Sequence, residues 1–143
     1  MEDKEFIECF ESCTLRGEDF HHKDHVRIVW IYLQSNSVLE TLGRFSAGLK
    51  RFAAVHGKPS LYHETITWAY VFLIHERLDR KGHRQSWPEF VTTNPDLFDW
   101  KDNILRNYYQ EDTLRSETAR RTFVFPDRFP DARVVENTRK GSL

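Results

Sequence analysis

The sequence predicts an all-α fold: a compact single-domain helical bundle with two central apolar helices, at about 24–34 and 61–80, and short C-terminal helices around them. Three observations carry this. Apolar residues recur at helical period in one window after another. Gly, Pro, Ser and Asn fall between those windows, where helices stop and start. The β-branched and aromatic runs at Val26–Leu33 and Val71–Ile74 lie inside longer helical windows and lack the turn signals that flank hairpins.

The first helix is expected over about 4–15, where Phe6, Cys9, Phe10 and Cys13 follow the i, i+3, i+4, i+7 spacing of a buried face before Gly17. The second carries Val26, Ile28, Val29, Trp30, Ile31, Tyr32 and Leu33, apolar on every side, as a helix packed by several neighbours must be. Ser35-Asn36-Ser37 breaks it, and Ser37 can cap the third. That helix sets Val38, Leu42, Phe45, Leu49 and Phe52 on one stripe and ends at His56-Gly57-Lys58-Pro59. Ser60 is the expected cap of the fourth, with Ile66, Trp68, Ala69, Tyr70, Val71, Phe72, Leu73 and Ile74 at its centre. Beyond Gly82, Ser86-Trp87-Pro88-Glu89 has the form of a capping box with Pro in the first turn. Asn94-Pro95-Asp96 starts a turn, 101–110 reads as a helix, Asp112 caps a last one to about Arg121, and 122–130 reads as extended between its prolines. Residues 1–130 form the expected domain and 131–143 a polar, frayed tail.

Composition narrows the function. The 143 residues suit one domain, and 39% apolar content with 11 Phe, 5 Tyr and 4 Trp supplies a core. Charged residues make up 30% but sum to a net charge of -1, which gives no field for nucleic acid or an anionic membrane. The densest basic stretch, Arg77 to Arg84, is interrupted by Asp79 and Gly82 and reads as a solvated helix end. No apolar run approaches the ~20 residues that span a bilayer. The acidic start, Met1-Glu2-Asp3-Lys4-Glu5, is unlike a signal peptide. A cytoplasmic protein with Cys9 and Cys13 as reduced thiols is therefore expected. The scattered glycines form no phosphate-cradling loop, so no nucleotide cofactor is expected, and no GxSxG nucleophile is present.

Chemistry concentrates in the histidines. Phe20-His21-His22-Lys23-Asp24-His25-Val26-Arg27 opens the second helix, Leu61-Tyr62-His63-Glu64-Thr65 opens the fourth, and His56 closes the third. Short links make successive helices antiparallel, which brings His21, His22, Asp24, His25, His56, His63 and Glu64 to one pole. Imidazoles with a carboxylate suit a transition metal ion (Zn, Fe, Mn or Cu), with His22, His25 and His63 as its candidate ligands. Asp24, Glu64 and Tyr62 are the candidate catalytic or orienting groups. Equally open are a metal-free site, with a carboxylate-assisted His as general base, and a structural polar network. Arg27 is expected to pair with Glu64 or another acid rather than with an anionic substrate.

The segments FHHKDHVRIVWIYL (20–33), LYHETITWAYVFLI (61–74) and YYQEDTLRSETARRTFVFPD (108–127) resemble a set of small bacterial all-helical proteins. The resemblance implies the helical fold and brings no activity or ligand with it. The DinB-type four-helix metalloproteins are a looser comparison. They too place three histidines at one end of a bundle, but with an HxxxH pair on a late helix where this sequence has none.

The expectation is then a small cytosolic enzyme with a His-rich polar site at one end of the bundle, acting on a small organic molecule. The alternative is a non-catalytic helical module that binds a small ligand or a protein partner, a second copy of the chain included.

Overall fold

Helix α1 (Asp3–Glu11) is shorter than expected, for a reason written in its C-terminus. Cys13 takes a left-handed conformation, φ 61°. Its N–H donates to Phe10 O at 3.0 Å, and Thr14 N–H reaches back to Cys9 O at 2.9 Å. This is the Schellman pattern, with cysteine where glycine is usual. Phe6 and Phe10 are buried, whereas Cys9 and Cys13 are half-buried free thiols.

The computed structural model describes residues 1–80 and 85–128. After α1 come α2 (His22–Leu33), α3 (Val38–Val55), α4 (Glu64–Arg80), α5 (Trp87–Thr93), α6 (Glu111–Arg115) and α7 (Glu117–Arg121). Four 3₁₀ turns interrupt them, at Gly17–Asp19, Pro59–Leu61, Pro95–Leu97 and Ile104–Asn107. Among the described residues there is no strand, and the all-α class holds. No described helix is long and apolar enough to cross a membrane. The expected stop at Gly82, Pro130 and the tail 131–143 lie outside the described residues.

Helices α2, α3 and α4 pack against one another, α1 closes over α2 and α3, and α7 lies on α4. α2 buries Val26, Ile28, Val29, Trp30 and Tyr32, which leaves it little solvated face. Each such side chain contributes about 1.5–3 kcal/mol when fully buried. α3 begins where Ser37 Oγ accepts the Glu40 N–H and Glu40 returns the bond to the Ser37 N–H. It buries Leu42, Phe45 and Phe52, while Leu39 stays 70% exposed. Gly48 is on the same buried side, so close to α1 that a Cβ there would lie 2.6 Å from Phe10 Cε2. α4 buries Tyr70, Val71 and Ile74 but exposes Phe72, so it is not apolar-packed on every side.

Several boundaries differ from expectation because side chains bond the backbone locally. α4 starts at Glu64 rather than at 61, since His63, not Ser60, caps it: His63 Nδ1 accepts the Ile66 N–H at 3.1 Å. α2 starts at His22, and Asp24 lies inside its first turn, its carboxylate accepting the His21 N–H at 2.9 Å. The helix expected at 101–110 shrinks to the turn Ile104–Asn107, where Asn103 Oδ1 takes the Leu105 N–H. The last helix divides at Ser116, whose Oγ accepts the Ala119 N–H and starts α7 afresh. Arg77, expected at a solvated helix end, instead clamps the 94–97 turn through both Asp96 carboxylate oxygens and Asn94.

Candidate functional site

The start of α2, the end of α3 and the start of α4 meet at one end of the bundle, as an up-down-up arrangement requires. A cavity of about 950 Å³ opens between them. Its walls are mainly apolar: Val26 and Val29 from α2, Phe45 and Phe52 from α3, Ile66 and Ile74 from α4. Phe20, from the α1–α2 connection, leans over His25 at 4.3 Å and Phe52 at 4.6 Å between ring centroids. Trp100 forms part of the rim, 53% exposed, with its ring 4.8 Å from His22. Gly17, Glu18, Arg16 and Lys58 complete the mouth.

Four imidazoles line this cavity: His22, His25, His56 and His63. Of the residues expected at the pole, the cavity wall therefore includes these four, and Tyr62, a candidate orienting group, also lines it. His21, Asp24 and Glu64 are not part of it. His21 is exposed, and the Asp24 carboxylate serves its own helix start. Glu64 accepts hydrogen bonds from the Tyr62 hydroxyl and, at 3.0 Å, from Trp68 Nε1. Burial and the Glu64 carboxylate together push the Tyr62 phenol above its ordinary range. Arg27 pairs with Asp3 at 2.9 Å and lies over the Phe6 ring, away from the cavity.

The imidazoles are mostly committed to the backbone. His22 Nε2 lies 2.8 Å from Leu97 O, His56 Nδ1 2.9 Å from Phe52 O, and His63 Nε2 2.7 Å from Leu114 O. A carbonyl only accepts, so each of these nitrogens carries the proton. His63 has no nitrogen to spare, because its Nδ1 caps α4. His25 makes ring contacts with Phe20 and Phe45, and neither of its nitrogens has a hydrogen-bond partner among the described residues. Burial, reinforced by the neighbouring His22 and His21, pushes the His25 imidazole down to about 4. Burial also lowers His22, with its bond to Leu97 opposing.

This geometry gives the metal expectation no support. His22, His25 and His63 share a cavity, but among the described residues no three His, Cys, Asp or Glu side chains form a group that could hold a metal ion. Of the three histidines, His63 has both ring nitrogens engaged, by Leu114 O and by the Ile66 N–H, whereas His22 is held through Nε2 alone. Sequence reasoning missed the aromatic wall and rim, Phe20, Phe45, Phe52 and Trp100. Phe45 and Phe52 carried a helical signal and read as core, and Trp100 sits in an irregular segment with no periodicity to mark it.

Comparison with protein-family models, with curated proteins and with solved structures finds no match to this chain.

Proposed function

We propose that this chain binds a small, largely apolar organic molecule in the cavity between α2, α3 and α4. The observation that carries the reading is the cavity itself: about 950 Å³, walled by aliphatic and aromatic side chains, with a few imidazoles as its polar groups. Small-molecule sites have this character, concave and apolar with a small number of placed polar atoms, and volumes of about 300–1,000 Å³.

Binding is favoured over catalysis by the state of the histidines. A general base works best with a pKa near the operating pH. His25, held at about 4, is a weak base at neutral pH, and His22 is also lowered. No carboxylate orients either ring, since Asp24 and Glu64 are engaged elsewhere. Cys9 and Cys13 are not among the cavity-lining residues, so neither is placed to serve as a nucleophile there.

The test is fluorescence titration with N-phenyl-1-naphthylamine, a neutral apolar probe that brightens out of water. Wild type should bind it saturably with one site per chain. Leu49→Trp, which fills space at a half-buried position of the wall, should weaken that binding at least about tenfold, or 1.4 kcal/mol. Equal binding by both proteins would place the probe elsewhere and count against the cavity.

A further inference from the structure

We infer that the ligand of this cavity is a neutral molecule with an apolar body and a hydrogen-bond-donating group, of the alcohol or phenol class, rather than a carboxylate or another acceptor. This rests on the cavity being a ligand site and follows from where its own protons go.

Five of the cavity's side-chain donors are used inward, and the open ones on Trp100, Lys58 and Arg16 belong to exposed residues that water can satisfy. His22, His56 and His63 each donate an N–H to a backbone carbonyl. The Tyr62 hydroxyl donates to Glu64, and the Thr67 hydroxyl to His63 O at 2.7 Å. The Tyr70 hydroxyl is buried and has no hydrogen-bond partner among the described residues. The Arg16 guanidinium is held at the surface by Asp19 and Glu18.

In its neutral form an imidazole whose N–H is used inward keeps a lone pair on its other nitrogen. A neutral imidazole has one donor and one acceptor, so fixing the donor fixes the other nitrogen as acceptor. That leaves His22 Nδ1 and His56 Nε2 as acceptors. Neither is bonded among the described residues, and neither is sealed from space. His25 adds one more acceptor and a single N–H. Lys58 and the remaining N–H groups of Arg16 are open cationic donors among the lining residues, both on exposed side chains. An acceptor-only ligand would place oxygen lone pairs against nitrogen lone pairs and leave both unpaired, which is costly out of water. A hydroxyl meets the same surface with a bond.

The experiment displaces N-phenyl-1-naphthylamine from the wild-type protein with three matched compounds: 4-phenylbutan-1-ol, its methyl ether and 4-phenylbutyrate. The alcohol should bind about five- to tenfold tighter than the ether, the yield of one hydrogen bond. The carboxylate should be the weakest of the three. Ether binding as tight as the alcohol overturns the donor match while leaving the cavity as a ligand site. Carboxylate binding tightest overturns it in favour of Lys58 or Arg16 as the anchor. Failure of all three, and of the probe, removes the underlying reading as well. Imidazole ¹⁵N shifts check the premise without a ligand: His22 must show Nε2–H with a bare Nδ1, and His56 the reverse. Either ring in the opposite tautomer also overturns the inference.

Discussion

The Nε2 atom of His22, at the first turn of α2, lies 2.8 Å from the carbonyl oxygen of Leu97, 75 residues further along the chain. This bond settles which nitrogen of His22 carries the proton. It also ties the 3₁₀ turn Pro95–Leu97 to the cavity mouth, just before Trp100 lays its ring against the same imidazole. His63 does the same for the start of α4, which it joins to Leu114 in α6. Two histidines of the cavity are thus fasteners between the central helices and the C-terminal segments, as well as parts of its wall.

The burial of His25 predicts a pH dependence. Its folded value is near 4 against 6.5 for the free side chain. Between these values the unfolded chain binds a proton that the folded chain does not, so stability is full above about 6.5 and falls as pH drops toward 4. Between pH 7.5 and 5.5 the loss from this one group is about 1 kcal/mol. Urea denaturation at the two pH values measures it, with His25→Phe expected to show a correspondingly smaller difference. An equal difference in wild type and variant would assign the effect to other groups.

Two glycines of α3 should respond oppositely to alanine. Helix propensity alone favours Ala by about 1 kcal/mol. At Gly43 nothing lies within 4 Å of the added Cβ, so Gly43→Ala should be stabilising by up to that amount. At Gly48 the Cβ would meet Phe10 Cε2 at 2.6 Å and Cζ at 2.7 Å, and the Phe10 ring is fully buried. Overpacking of this kind costs about 1–3 kcal/mol, which exceeds the propensity gain. Thermal unfolding of the two variants should therefore move in opposite directions. A stabilised Gly48→Ala would mean that α1 sits less tightly on α3 than described.

Thr65, wholly buried, holds the C-terminal segment from both sides: its hydroxyl donates to Thr122 O at 2.9 Å and accepts the Val124 N–H at 3.1 Å. Thr65→Val keeps the shape and removes both bonds, at a cost of about 1–3 kcal/mol for the backbone groups left unpaired. Amide hydrogen exchange should show the Val124 amide losing protection ahead of α2. Loss of protection spread evenly over the chain would indicate global destabilisation instead.

Much of this fold is legible in the sequence. The long helices announce themselves because Val26–Leu33 and Ile66–Ile74 are strongly apolar within helical windows, although α4 leaves Phe72 exposed, and Ser37 and Ser86 have the chemistry of caps. Helix polarity then places His22, His25, His56 and His63 at one end without any motif. The boundary at 64 was hidden because an imidazole, outside the usual Ser, Thr, Asp and Asn set, caps the helix. The breaks at Asn103 and Ser116 depend on single side-chain-to-backbone bonds that periodicity does not register. Asp24 and Glu64 looked like partners for the histidines by proximity in sequence. Their actual partners, the His21 N–H in one case and Tyr62 and Trp68 in the other, are equally close in sequence and better aligned. The cavity is legible only in three dimensions, because its aromatic wall and rim draw Phe20, Phe45, Phe52 and Trp100 from separate segments.

Ligand binding in the cavity is tested most directly by an isotope-filtered NOE experiment on methyl-labelled protein saturated with 4-phenylbutan-1-ol. Ligand contacts are expected to the methyl groups of Val29, Ile66 and Ile74, which come from two helices and line the cavity. Contacts confined to surface methyls such as those of Leu39, or no saturable binding at all, would contradict it.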